Sequence, residues 1–171
     1  LPRIALVLGS GWSGLIDHVE QPQRIPYTEF QGFPVSAVAG HTSELILGRI
    51  GAHEVAVLGG RKHTYETGEA DAMKTPLRTL RALGCEVLVQ TNAAGSLDAG
   101  MPPGSLMVLS DHINFSQRSP LIGESGSEKF VSMVNAYDAG LRASALRTAA
   151  LRGEPLHQGV YVWFVGPQFE T

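Results

Sequence analysis

The sequence predicts an α/β domain with a mixed central β-sheet flanked by helices. Three observations carry that reading: apolar, β-branched runs of strand length alternate with helical stripes, two neighbouring runs are joined by a turn of only Gly51-Ala52-His53, and several runs end abruptly in short polar segments. At 171 residues the chain suits a single domain spanning 1–171, a size that buries about 70% of the surface exposed by the unfolded form.

Taken in order, Arg3 to Leu8 is a continuous apolar run ended by glycine, the pattern of a central strand buried on both faces. Ser13 is placed to cap a short helix running through Val19, and Gln21-Pro22 breaks the chain. Glu44 to Ile50 and Glu54 to Leu58 form a hairpin, the antiparallel part that makes the sheet mixed. From Glu69 to Leu83, Met73, Leu77, Leu80 and Leu83 recur at helical spacing, with Pro76 in the early turns or at a bend and Gly84 at the C-terminal cap. Strands follow at Glu86 to Thr91 and Ser105 to Leu109. Phe115 to Met133 is rich in Ser and Gly, lacks periodicity and reads as a long surface loop. A helix from about Ala139 to Arg152 ends at Gly153, and Gly159 to Val165 is the last strand. No internal repeat, low-complexity segment or linker is evident.

Composition narrows the function classes. A hydrophobic fraction of 43% and a charged fraction of 17% are those of an ordinary globular protein, and a net charge of −3 provides no basic field for nucleic acid. An anionic ligand must therefore be held by local donors. Cys85 is the single cysteine and has no internal disulfide partner; its apolar surroundings favour a buried, inert thiol over a reactive one, which suits a reducing, cytoplasmic setting. With no apolar stretch of membrane-spanning length and no signal-peptide pattern, neither a membrane partner nor secretion is indicated. The chain opens without Met and closes on Phe169-Glu170-Thr171, as a piece of something longer would.

The polar segments carry the chemistry. Gly9-Ser10-Gly11-Trp12-Ser13-Gly14 satisfies G-x-G-x-x-G after a strand, the signature of a dinucleotide site. That site also needs a second buried strand ending in Asp or Glu about 20 residues on. Gln23 to Tyr27 occupies that place, but it is polar and carries Pro26. The smaller reading, against a simple tight turn, is that Ser10 and neighbouring N–H groups bind phosphate. In Arg61-Lys62-His63-Thr64-Tyr65-Glu66, an extended chain places Arg61, His63 and Tyr65 on one face and Lys62 and Thr64 on the other. Arg61 offers a fork to an oxyanion, and His63 a further donor; a solvated charged loop is the alternative for such a cluster in isolation. Asn92-Ala93-Ala94-Gly95 lets backbone approach a ligand closely, or simply turns a corner. In Gly166-Pro167-Gln168-Phe169-Glu170-Thr171, a Phe-Glu pair suits stacking on a flat base and reading its edge. His41 stays open between structure and function, whereas His112 is expected to bond nearby backbone in an Asp111-His112-Ile113-Asn114 turn. No residues show metal-ligand spacing, and no G-x-S-x-G elbow, Walker loop or Cys-His pairing occurs.

With these segments in order, the chain resembles the trimeric purine nucleoside phosphorylases over essentially all of its length. The resemblance rests on Leu8-Gly9-Ser10-Gly11, Gly40-His41, Gly60 to Glu66, Thr91 to Gly95, Asp111 to Asn114, Asn135-Ala136-Tyr137-Asp138 and Gly166 to Thr171. It implies phosphorolysis of 6-oxopurine nucleosides, with inorganic phosphate as co-substrate, no cofactor and no metal, in a homotrimer. It further implies phosphate binding by Ser10, His41, Arg61, His63 and the Ala93 amide, ribose contact by Tyr65, and a purine subsite of Ala94, Gly95, Phe169 and Glu170. Arg61, His63 and Glu170 are the implied catalytic residues. The related methylthioadenosine phosphorylases favour Gly-Thr-Gly in the first loop and lack Glu after the Phe. Glu170 accepts a hydrogen bond from the N1–H of hypoxanthine or guanine but faces the N1 lone pair of adenine.

The family chain continues past Phe-Glu-Thr with a Met-Ser segment, an Asn at purine N7 and a His near the 5′-hydroxyl, so a chain ending at Thr171 is expected to be inactive. The family's loop also carries an aromatic that reaches a neighbouring subunit's ribose, for which Phe130 is one candidate in a shorter loop. Two alternatives stand beside this reading: a dinucleotide-dependent oxidoreductase built on Gly9 to Gly14, and a catalytically silent nucleoside-binding relative.

Overall fold

In a computed structural model, residues 1–9, 11–34 and 42–168 are described; Ser10, residues 35–41 and residues 169–171 lie outside them. Contacts divide the chain into two units, Leu1–Ala93 and Ala94–Thr171.

The first unit is organised around β1 (Ile4–Val7), the strand expected from the opening apolar run. It pairs in parallel with β4 (His53–Leu58) on one side and with β5 (Val87–Gln90) on the other. β3 (Glu44–Ile50) is antiparallel to β4, as the hairpin reading requires, and β2 (Glu20–Pro26) is antiparallel to β3. The sheet is therefore mixed, in the order β2-β3-β4-β1-β5. Continuous apolar runs are explained by burial on both faces. Ala56 and Leu58 pack with Ala5, Val7, Tyr27, Leu80 and Cys85 on one face, while Val55 and Val57 pack with Ile16, Val19 and Ile46 on the other.

Three details of the first unit differ from expectation. The short helix is a 3-10 turn over Ser13–His18, with Trp12 as its N-cap and no side-chain cap bond, so Ser13 begins the turn instead of capping it. The predicted break at Gln21-Pro22 lies inside β2. This strand is almost wholly exposed, sits at the sheet edge and is irregular between Glu20 and Gln23, which is where a polar strand holding two prolines is tolerated. The amphipathic helix, α2, covers only Lys74–Ala82; Pro76 falls in its first turn, where its missing N–H costs nothing. Gly84 adopts φ +98°, as foreseen for the cap. Cys85 is buried, its Sγ donates to the Pro2 carbonyl at 3.4 Å, and burial pushes its pKa up, against reactivity. A single turn, α1 (Thr64–Thr67), links β4 to the approach of α2.

The second unit holds a parallel pair, β6 (Met107–Asn114) with β7 (His157–Trp163), and the helix α3 (Ala139–Arg152). α3 has its expected bounds. The Asp138 carboxylate accepts from Leu141 N–H at 2.7 Å, and Gly153 ends the helix at φ +69°. β6 runs five residues past the expected Leu109 and absorbs the supposed turn Asp111-His112-Ile113-Asn114, with a register shift between Leu109 and Asp111. β7 begins and ends two residues before the predicted Gly159 to Val165. The stretch from Phe115 to Met133 has turns and bends and no strand or helix, as its composition predicts. Among the described residues, no helix is long and apolar enough to cross a membrane.

Candidate active site

Three adjacent strands, β4, β1 and β5, run parallel, and Val7 stands in register with both Leu58 and Gln90. Their carboxyl ends consequently open onto one rim of the sheet, the place where open α/β sheets bind ligands. Gly9 follows β1 there, Arg61 follows β4, and Thr91 follows β5.

The approach to Arg61 is fixed from beneath. Gly59 N–H donates to the Glu44 carbonyl at 3.0 Å, Thr42 N–H donates to the Gly59 carbonyl at 3.1 Å, and the Tyr27 hydroxyl donates to the Gly60 carbonyl at 2.8 Å. Tyr27 is 2% exposed, and burial raises its pKa. Beyond this anchored segment, Arg61 Nη1 donates to the Thr91 carbonyl and Arg61 Nε to His63 Nε2 at 3.3 Å. Gly9 N–H donates to Thr91 Oγ1 at 2.9 Å. A Cβ on Gly9 would lie 2.5 Å from the Thr91 carbonyl oxygen and 3.0 Å from both Arg61 Nη atoms. Glycine is required here because the guanidinium rests against bare backbone.

These bonds set the tautomer of His63. Arg61 Nε can only donate, so His63 Nε2 carries the lone pair and the ring proton sits on Nδ1. That nitrogen faces Glu66 Oε1 at 3.1 Å, which also accepts from His63 N–H at 2.6 Å. Glu66 thus holds His63 by two bonds across the first turn of α1, one to the ring and one to the backbone N–H. Sequence reasoning assigned Glu66 no role, although a carboxylate three residues after a helix N-cap is itself a capping signal. Thr91 and Tyr27 were also passed over. No local signal marks either, because both act through partners thirty or more residues away.

The expected alternation of Arg61, His63 and Tyr65 on one extended face does not hold. The chain turns helical at Thr64, because His63 N–H finds its acceptor in Glu66 and closes a turn. Tyr65 still reaches the site, by stacking on the His63 ring at 4.9 Å and 12°. Lys62 points elsewhere: its ammonium bonds Glu69 at 3.1 Å. Ala93, two residues past Thr91, is exposed, and its carbonyl accepts from Asn92 Nδ2 at 3.3 Å.

Ala94 and Gly95 are exposed and belong to the second unit. Ser10, His41, Phe169 and Glu170 lie outside the described residues. His112 is on β6 and not in a turn: its Nδ1 meets the Tyr137 hydroxyl at 3.0 Å, and its own N–H bonds the Asp111 carboxylate at 2.8 Å. Burial and the nearby Asp111 charge raise the Tyr137 pKa. Phe130 is 81% exposed in the loop after β6. Among the described residues, no three His, Cys, Asp or Glu side chains group as metal ligands would.

The rim also bears on the dinucleotide alternative. That chemistry needs an acid at the end of a strand parallel to β1, and the parallel neighbours end in Leu58-Gly59 and Gln90-Thr91. The stretch that would supply the acid is instead β2, an exposed edge strand separated from β1 by β3 and β4. What the rim does offer is a permanent cation beside a glycine turn, a set suited to an oxyanion, with His63 and Glu66 behind the cation to hold it in place.

Comparison with known proteins agrees with this chemistry. The model of the phosphorylase superfamily matches residues 3–171. Purine nucleoside phosphorylase 1 of Geobacillus stearothermophilus is 43% identical over 173 aligned residues, covering 99% of this chain and 63% of the relative. Purine nucleoside phosphorylase of Mycobacterium leprae is 43% identical over 169 residues, covering 98% of this chain and 60% of the relative. Among solved structures, Schistosoma mansoni purine nucleoside phosphorylase in complex with inosine superposes with a TM-score of 0.90 at 36% identity, covering 99% of this chain and 62% of that one. The chain thus spans about three fifths of the length of these relatives.

Proposed function

The chain belongs to the phosphorylase superfamily, and from that premise we propose that the whole protein is a purine nucleoside phosphorylase. It cleaves the N-glycosidic bond of 6-oxopurine ribo- and deoxyribonucleosides such as inosine and guanosine with inorganic phosphate. The products are the free base and (deoxy)ribose 1-phosphate, a step of purine salvage. The observation that carries this reading is the Arg61 guanidinium laid against Gly9 and bonded to His63 at the carboxyl rim of the parallel strands. The names of the relatives and the inosine complex of the schistosome enzyme support it.

Phosphate is the nucleophile, so no covalent enzyme intermediate and no cofactor is needed. The C1′–N9 bond loosens first, its electron pair passing to the purine, which takes up a proton from solvent and leaves as the neutral base, while positive charge builds on the ribosyl ring. The phosphate dianion, held directly by Ser10, His41, Arg61 and the Ala93 amide and, through its bond to Arg61, by His63, stabilises that charge and forms the new bond to C1′. Tyr65 steadies the ribose, Phe169 stacks on the purine beside Ala94 and Gly95, and Glu170 accepts from N1–H. Positioning and preorganised charge supply most of the acceleration. The whole protein works as a cytoplasmic homotrimer.

The test follows hypoxanthine release from inosine. Release that requires phosphate and yields ribose 1-phosphate in equal amount is expected. Tight NAD binding with no response to phosphate would overturn the reading in favour of the oxidoreductase, and hypoxanthine binding without ribose 1-phosphate in favour of a silent relative. Sizing by light scattering separates a trimer from a monomer.

A further inference from the structure

We propose that Thr91 is a positioning residue that presets the anion site before any anion arrives. It bonds both sides of the rim: its hydroxyl accepts from Gly9 N–H at 2.9 Å, and its carbonyl accepts from Arg61 Nη1. The first bond ties the exit of β1 to the exit of β5; the second aims the guanidinium that follows β4. Three loops leaving three strands thereby share one residue. The space left for Gly9 shows how tightly they are drawn together, since a single added carbon would sit 2.5 Å from the Thr91 carbonyl oxygen.

The physical benefit is preorganisation. An arginine side chain free to sample its rotamers gives up that freedom on binding phosphate, whereas one already fixed by a carbonyl acceptor gives up less. The Thr91 hydroxyl plays the second part. A Gly9 N–H with an acceptor keeps the exit of β1 in one conformation. Without that acceptor, a half-buried N–H is left unmatched and the turn shifts to satisfy it. Thr91 touches no substrate in this scheme; it acts through Gly9 and Arg61. For its kinetic arm this inference rests on the phosphorolysis reading, while its binding arm needs only inorganic phosphate.

The experiment compares wild-type protein with Thr91→Val, which keeps the shape and removes the hydroxyl, and Thr91→Ser, which restores it. Thr91→Val is expected to raise the phosphate KM about tenfold, the size of effect for an unmatched N–H, with the inosine KM moving less than about twofold. Thr91→Ser is expected to return the phosphate KM to within about threefold of wild type. Calorimetric titration with inorganic phosphate alone is expected to show the same ordering of Kd. Equal rises in both KM values, or a loss of Tm and kcat with the phosphate Kd unchanged, would reduce Thr91 to a general structural role and overturn the proposal. No change in Thr91→Val would overturn it too. If the wild-type protein binds phosphate yet cleaves no nucleoside, the phosphorolysis reading fails while the calorimetric ordering still decides the role of Thr91. If it binds no phosphate, both fail.

Discussion

Arg61 is the residue on which the proposed chemistry turns. Its guanidinium is charged at every accessible pH, and its bonds to Thr91 and His63 hold it at the rim. Phosphate placed there faces a ribosyl ring whose positive charge grows as the C1′–N9 bond loosens, and Arg61 is the cation that holds it in position. Deleting such a stabiliser typically costs about a hundredfold or more in rate. Arg61→Ala should therefore lower kcat/KM for phosphate by at least about a hundredfold, and near wild-type phosphorolysis would remove Arg61 from the site. On the purine side, Phe169→Ala should weaken hypoxanthine binding by about 1–3 kcal/mol if the ring stacks as proposed. An unchanged Kd by calorimetry would place the stacking residue elsewhere. The two variants read opposite ends of the nucleoside and are expected to act on different ligands.

Elements differ in how much of them a sequence discloses, and α3 stands at the favourable end. Asp138 sits at its N-cap with the carboxylate on Leu141 N–H, and Gly153 closes it in the left-handed region. Both signals are local, so the bounds could be read directly. Loss of the cap should cost about 1 kcal/mol. Asp138→Ala is expected to speed amide exchange in the first turn of α3, Leu141 above all, and unchanged protection there would show that the cap does not hold the turn. β1, β3 and β4 were equally legible because burial on both faces leaves unbroken apolar runs. β2 was not, since an exposed edge strand with two prolines resembles a loop until its neighbour β3 is known. The extent of β6 was missed for a related reason. Asp111, His112 and Asn114 look like turn residues, but pairing with β7 overrides that preference. At the rim the same division holds: Arg61 and His63 stand out by residue type, whereas Thr91 gains its meaning only when β1 and β5 are brought side by side.

At the scale of the whole molecule, burial is unevenly shared. Every described residue classed as buried falls in the first unit, from Pro2 to Cys85, and the large side chains buried most completely there include Tyr27, Leu45, Ile46 and Leu58. Hydrophobic stabilisation follows buried apolar area, so the core of the described residues is the sheet beneath the rim, and a titrating group buried in it couples stability to pH. Tyr27 is the group to watch: its hydroxyl is sealed under the Gly60 carbonyl, and burial lifts its pKa above that of an exposed tyrosine. An unfolded tyrosine ionises near pH 10. Below that pH both states are protonated and the contribution is intact. Above it, the unfolded chain loses a proton that the folded chain retains, so stability falls as pH rises, by up to about 1.4 kcal/mol per pH unit for one group. Tyr27→Phe removes this dependence and also leaves the Gly60 carbonyl without its donor, which costs about 1–3 kcal/mol at neutral pH. Urea denaturation across pH 8 to 11 should thus show a less stable variant with a flatter alkaline slope. Parallel slopes for the two proteins would mean that Tyr27 ionises as easily in the fold as outside it, and that the anchor under Arg61 is not sealed from water.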